Sequence, residues 1–358
     1  MNMLIDLSRL EPLIGIEAWF EKERPYALLL RPYGFVVVED AETQHCNENL
    51  HLLTKYNIDS LHALEELGAK HCRIAGLKDA EGVTSQYASC KGEYNRFKKG
   101  QNYSAAIVSS GMRGCLRRGR IRVNWFNIVL MTSQPARPKT LTPNYYGYQR
   151  FGTRRPNSHL LGFFLVRGDY AASIEEMLFR KYPFESGRLG DYEERAKRLL
   201  ETRRRVPRIG EVLRRHTLSI IVAALQSYLF NRILSRLVKE YGEKLCTLYP
   251  RIPLPGCGYK TGLERLNARQ LLDAYLDVLE EEGVSEELLC KARLGSPPRE
   301  TCIKPVETHA FTLRESEGEA EYVVHIFGLK SGEYATTYLA AHYKLLEPYP
   351  NLLPAQLA

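Results

Sequence analysis

Several signatures of common chemistry are missing from this chain, and each absence removes a class of function. The cysteines (Cys46, Cys72, Cys90, Cys115, Cys246, Cys257, Cys290 and Cys302) are scattered. They form no C-x-x-C pair, and no H-E-x-x-H occurs, so neither a metal site nor a dense disulfide framework is predicted. Reduced, mostly buried thiols are expected instead. No G-x-G-x-x-G follows a strand-like run. The segment G-C-G-Y-K-T-G at 256–262 lacks the G-x-x-x-x-G-K-[ST] spacing and reads as a turn after Pro253 and Pro255. No cofactor, nucleotide or other, is therefore implied. Apolar runs such as 218–225 fall far short of the roughly 20 residues that span a bilayer. The first residues mix Asp6, Arg9 and Glu11 among leucines, unlike a signal peptide. The reading is a soluble, cytoplasmic protein without membrane contact.

Acid is only slightly scarcer than base: 42 Asp and Glu against 50 Lys and Arg, a net charge of +8. Such a surplus says little until its distribution is considered. Arginines cluster at Arg113, Arg117, Arg118, Arg120 and Arg122, again at Arg203, Arg204, Arg205 and Arg208, and at Arg214 and Arg215. Guanidinium forks match phosphate oxygens, so a polyanionic partner is expected, with Arg117, Arg118, Arg120, Arg203, Arg204 and Arg205 on the surface that meets it. At 358 residues the chain has room for two domains and an ample core. Strand-like patterns at 103–108 and 121–131 put the arginines of 113–122 on the hairpin that joins them, and strand character returns at 308–313 and 321–329. Asp59 or Ser60 can cap a short helix, Ser173 opens a capping box, Leu218, Ile221, Leu225, Leu229, Ile233 and Leu237 form an apolar helical stripe, and 267–283 reads as a helix capped by Asn267.

Two stretches carry the candidate chemistry. Residues 73–86 read R-I-A-G-L-K-D-A-E-G-V-T-S-Q: a strand-like entry, a tight loop holding Lys78 and Asp79 between Gly76 and Gly82, and a resumed alternation. Lys-Asp beside glycine can be a solvated turn; a carboxylate held on a loop at the end of a core strand can also be a nucleophile or base. Residues 143–152, P-N-Y-Y-G-Y-Q-R-F-G, concentrate aromatic rings, an amide and a guanidinium. That mixture stacks on flat polar rings and hydrogen-bonds to them.

The loop G-x-K-D-x-x-x-V-T-x-Q and the block N-Y-x-G-x-Q-R-F-G together resemble the TruD family of tRNA pseudouridine synthases, in its archaeal and eukaryotic branch. A-L-Q-S-Y-L-F-N at 224–231 and G-E-Y-A-T at 332–336 are similar to the family's helix and closing motifs, and N-W-F-N-I at 124–128 to its N-x-F-x-I strand. The four main blocks occur in family order across nearly the whole chain. The resemblance implies an α+β fold: a pseudouridine synthase domain with a mixed, largely antiparallel sheet and flanking helices, interrupted by a mainly helical insertion. The expected division is 1–156 and 308–358 for the catalytic domain and 157–307 for the insertion. It further implies an isomerase acting on tRNA, most plausibly at uridine 13, without metal or cofactor. A monomer is expected.

On this reading Asp79 is the catalytic carboxylate, acting as nucleophile on the sugar or as the base that removes a ribose proton. Phe35, Tyr146 and Tyr334 match the aromatic positions around the uracil, and Asn144 matches the family's amide. Gln149 and Arg150 are expected to brace the pocket. One departure matters. The basic residue that the family places three positions before the opening proline, where it pairs with the catalytic acid, is Leu29 here, ahead of Pro32. Arg31 and Lys78 are the nearest replacements. Strand alternation favours Arg31 as the partner of Asp79 and leaves Lys78 to meet an RNA phosphate. Two other classes compete: a non-catalytic tRNA-binding protein or RNA chaperone that keeps the fold, and a nuclease or glycosidase with paired acids using Glu81. The intact Asp79, Asn144 and Asn-Tyr-x-Gly block argue for catalysis.

Overall fold

A computed structural model describes residues 4–78, 80–152, 155–182, 191–203, 206–207, 209–314 and 321–348. Asp79, Arg204, Arg205 and Arg208 lie outside the described residues, as does the side chain of Arg203.

In chain order the strands are β1 (Leu4–Asp6), β2 (Tyr26–Leu29), β3 (Phe35–Tyr56), β4 (Cys72–Ile74), β5 (Val83–Cys90), β6 (Arg96–Lys99), β7 (Ser104–Thr132), β8 (Thr142–Pro143), β9 (Arg251–Pro253), β10 (Pro298–Glu300), β11 (Cys302–Ile303), β12 (Thr308–Arg314), β13 (Glu321–Leu329) and β14 (Lys344–Pro348). One ten-stranded sheet runs β1-β14-β2-β7-β3-β5-β4, with β13 and β6 also on β7 and β12 on β13; β8 with β11 and β9 with β10 form two small pairs. The large sheet is mostly antiparallel, as expected, and β14 lies parallel to β2.

Two long strands organise it. β3 and β7 pair as one antiparallel ribbon from Phe35↔Ile128 to Tyr56↔Ser104. Register breaks between Asp40 and His51 mark where the ribbon bends. The bend brings both arms against β5. Val36–Val38 run parallel to Val83–Ser85, while residues 49–56 run antiparallel to residues 83–90. The start of β5, and the loop before it, therefore lies between the beginning of β3 and its end. Along β3 the period-two alternation buries Phe35, Val37, Glu39 and Ala41, which puts an acid in the phase reserved for core.

Helices dominate from Ser158 to Lys291. The longest, Arg215–Tyr241, buries Leu225, Leu229, Ile233 and Leu237 at helical spacing. Residues 217–248 are long and apolar enough to cross a membrane by length and composition, but more than half of that surface is packed inside the protein. Phe35, Ile128 and Leu130 from the sheet share one hydrophobic cluster with Leu229, Phe230 and Tyr275 from the helices and Tyr338 from the closing segment.

Some local expectations need correction. The arginines at 113–122 lie within β7 rather than on a loop outside the sheet, but its pairing with β3 breaks between Leu116 and Ile121, so Arg117, Arg118 and Arg120 have no β3 partner. The helix Tyr170–Leu178 starts earlier than a cap at Ser173 predicts, because Asp169 accepts from Ala172 N and Ser173 is buried inside it. Asn267 adopts φ +54 and ends the preceding turn; it caps nothing, and the next α-helix is Leu272–Glu281. Asp59, by contrast, caps Ser60–Glu66 as its sequence suggests.

The cysteines are a larger correction. None is free: Cys46–Cys115, Cys72–Cys90, Cys246–Cys302 and Cys257–Cys290 are disulfides. Their partners lie 18 to 69 residues apart and meet only through the fold, as where Cys72 and Cys90 face each other across β4 and β5. No local spacing signal could announce them.

Candidate active site

The loop between β4 and β5 is held from below by a buried polar network. Gln86 donates from Nε2 to Gly76 O (3.0 Å), Ser60 donates to Gln86 Oε1 (2.6 Å), and Lys78 N donates to Ser60 Oγ (3.2 Å). Lys55 Nζ donates to Lys78 O (3.4 Å). Gly119 N, from β7, donates to Ala75 O (2.8 Å). At the far end a Cβ on Gly82 would stand 2.8 Å from Phe35 O, so only glycine lets the loop return this close to β3. These contacts fix both flanks of Asp79, itself outside the described residues.

Lys78 is not the phosphate contact it was expected to be. Its ammonium is buried and ion-paired with Glu39 Oε2. Burial pushes the Glu39 carboxyl above the usual carboxylate range, and the Lys78 charge opposes that shift. Glu39 Oε1 has no hydrogen-bond partner. The pair exists because strand parity turns Glu39 inward, where an unpaired charge would be costly.

The pairing of Arg31 with Asp79 expected from alternation involves a residue outside the described ones, and the contacts of Arg31 that are described are with other groups. Arg31 pairs through Nε with Glu347 Oε1 (3.0 Å), donates from Nη1 to Glu81 O (2.6 Å), and lies over the Phe35 ring at 3.8 Å. Its guanidinium closes the outer side of the loop.

A cavity of about 380 Å³ opens on the inner side. Its floor is Phe35, Val37, Ile121, Asn124 and Phe126, one wall is residues 75–78, and the opposite wall is Gln149 with residues 331–336. Arg118 and Gly119 stand at its rim, while Arg117 and Arg120 are exposed on the same strand. A smaller cavity of about 230 Å³ behind the loop includes Arg31, Ala80, Glu81, Tyr148 and Gln149. The residues on either side of Asp79, Lys78 and Ala80, thus line different cavities.

Asn144 and Tyr146 face elsewhere. They line a third cavity of about 480 Å³, which shares residues 331–333 with the first. The Asn144 amide is engaged on both sides: Nδ2 donates to Glu300 O (3.0 Å), and Oδ1 accepts from Arg299 (2.9 Å). Tyr146 stands 6.1 Å from Tyr334, ring to ring. The A-L-Q-S-Y-L-F-N block holds it there. Asn231 accepts from Tyr146 N (2.8 Å) and donates to Tyr146 O (3.1 Å), Phe230 meets its ring edge-on, and Ser227 accepts from Arg150 Nε (3.0 Å). Gln149 accepts from Thr336 (3.2 Å).

Sequence reasoning missed Lys55, Arg299 and Asn124 as site residues. Asn124 Oδ1 is buried without a partner on the cavity floor. The N-x-F-x-I block was its only signal; Lys55 and Arg299 had none. Among the described residues the one cluster with metal-ligand spacing is Cys46, Glu48 and Cys115, whose two sulfurs are joined to each other and offer no thiolate. What remains is a half-open chamber lined in part by aromatic rings, beside a loop whose backbone is held at five points.

Known proteins resemble this chain along most of its length. A family profile described as tRNA pseudouridine synthase D (TruD) matches residues 15–208. A probable tRNA pseudouridine synthase D of Methanopyrus kandleri is 30% identical over 343 residues, covering 81% of this chain and 84% of the relative. One of Pyrobaculum islandicum is 30% identical over 355 residues, 83% and 84% of the two chains. Among solved structures, a putative tRNA pseudouridine synthase D from Methanosarcina mazei superposes with a TM-score of 0.65 at 18% identity, over 94% of this chain and 98% of that one, and so shares the fold.

Proposed function

Starting from the premise that the chain belongs to the TruD family and is a tRNA pseudouridine synthase, an isomerase, we propose that it acts on uridine 13 of tRNA with Asp79 as the sole catalytic carboxylate. The reaction breaks the N1–C1′ glycosidic bond, turns the freed uracil, and rejoins it to C1′ through C5. No atom is gained or lost apart from the exchange of a proton between C5 and N1. One carboxylate serves either route, as nucleophile on C1′ or as base on a ribose proton.

The observation that carries this reading is the 380 Å³ chamber between the flank of the Asp79 loop and Tyr334. A stacked base must be extruded to react, at a cost of a few kcal/mol, and a pocket with aromatic faces returns part of that cost. Phe35 and Tyr334 supply the faces. The Asn124 amide supplies a free acceptor for a polar ring edge.

Incubating the purified protein with unmodified tRNA and mapping pseudouridine before and after tests the target. Product at position 13 alone is the expected result, and product at other positions only would refute that assignment. Asp79→Asn should abolish product while tRNA affinity stays within a few fold; turnover near the parent level would remove Asp79 from the mechanism.

A further inference from the structure

We infer that the third cavity is a binding site for the nucleotide adjoining the target uridine in the RNA chain, with its base stacked on Arg299. The inference rests on the reading of the 380 Å³ chamber as the site of the flipped uridine.

Residues 331–333 line both spaces. When one base leaves the stack its neighbour loses a stacking partner yet remains one backbone step away, so it must be held somewhere close. At about 480 Å³ the third cavity lies within the range of small-ligand sites. It also lies where the helical part meets the sheet, a usual place for such sites.

The chemistry of its lining suits a base and its phosphate. The Arg299 guanidinium lies 3.9 Å over the Tyr146 ring and 5.5 Å from Phe230, a layered surface on which a further planar ring can stack. It is held in place in advance, donating from Nη2 to Asn144 Oδ1 (2.9 Å) and Gly332 O (3.1 Å). The carboxylates of the lining are engaged: Glu300 accepts from Arg251 (2.7 Å) and Glu333 from Lys330 N (2.8 Å). Lys330 forms no salt bridge among the described residues, which leaves its ammonium for the phosphate of the same nucleotide. Asn144 and Tyr146 thereby acquire a role that the chamber itself does not give them.

Steady-state kinetics on tRNA transcripts carrying an abasic site 5′ or 3′ of the target uridine would test this. With the unaltered protein, one of the two abasic substrates should raise KM about tenfold with kcat nearly unchanged, in keeping with the cost of losing one base–platform stack. In Arg299→Met that same abasic substitution should cost nothing further, since the stack is already lost. Tyr146→Leu gives the same comparison should Arg299→Met fail to fold. Unchanged KM for both abasic substrates would overturn the inference, as would an undiminished abasic penalty in the variants. Failure of the parent protein to modify intact tRNA is a different outcome, which defeats the underlying reading of the chamber.

Discussion

Lys55 is a lysine only 1% exposed, and its ammonium reaches the carbonyl of the residue immediately before Asp79. Arg31, the cation that alternation favoured, is spent on Glu347 and the Glu81 carbonyl. The parity argument failed for a definite reason. Leu29 ends β2, and the chain turns before β3, with Gly34 N donating to Leu30 O (2.6 Å), so Leu29 and Arg31 share no strand on which to alternate. Losing a nearby cation disfavours the charged form of a carboxylate and raises its pKa, so ionised acid persists only at higher pH. Lys55→Met should therefore lower kcat at least about tenfold and move the acidic limb of the pH–rate profile upward. Arg31→Met should leave that limb in place. An unmoved limb in Lys55→Met would exclude Lys55 as the cation of the catalytic loop. The sequence showed the need for such a cation through the departure at Leu29; it could not show which lysine folds against the loop, because Lys55 and Lys78 meet only after the β3–β7 ribbon has bent.

The ribbon also decides where the basic surface lies. Because the pairing of β7 with β3 breaks between Leu116 and Ile121, Arg117, Arg118 and Arg120 stand on a stretch without β3 partners, with Arg118 lining the chamber. RNA held there should release counterions, so tRNA affinity is expected to fall with salt on a log–log slope of several units. Replacing both Arg117 and Arg118 by Glu should weaken binding by about tenfold or more and flatten the slope by roughly one for each lost phosphate contact. Equal affinities and slopes would place the RNA elsewhere. At this scale much was legible: the apolar stripe of the helix Arg215–Tyr241, the Asp59 cap and strands β12 and β13 all follow from periodicity and capping chemistry. Less legible were the continuity of β7 and the start at Asp169. Glycines and arginines weaken a strand signal that pairing restores, and a good cap at Ser173 was outcompeted by an earlier one.

Across the whole molecule the α+β architecture was readable from the order of blocks, whereas the pairing of distant side chains was not. Three histidines illustrate the second kind. His159, His325 and His342 are buried, and burial lowers their pKa values to about 3, about 4 and about 3 respectively. The unfolded chain takes up these protons near pH 6.5 and the folded chain does not, so stability is intact above that pH and falls as pH drops below it. Each group contributes about 1.4 kcal/mol over the window from pH 7.5 to 5.5, roughly 4 kcal/mol for the three, and denaturant midpoints at the two pH values would measure it. A midpoint that does not move would mean that these groups find protons in the folded state. The disulfides divide the chain in another way. Cys72–Cys90 nests inside Cys46–Cys115, Cys257–Cys290 nests inside Cys246–Cys302, and no bridge joins the two sets. For a chain leaving the ribosome, the first set can close as soon as residue 115 has emerged, and the second needs nothing beyond residue 302. Synthesis can therefore lock each segment in turn, and the step that comes after is the seating of β12, β13 and β14 in a sheet where β3, β4, β5 and β7 are already tied.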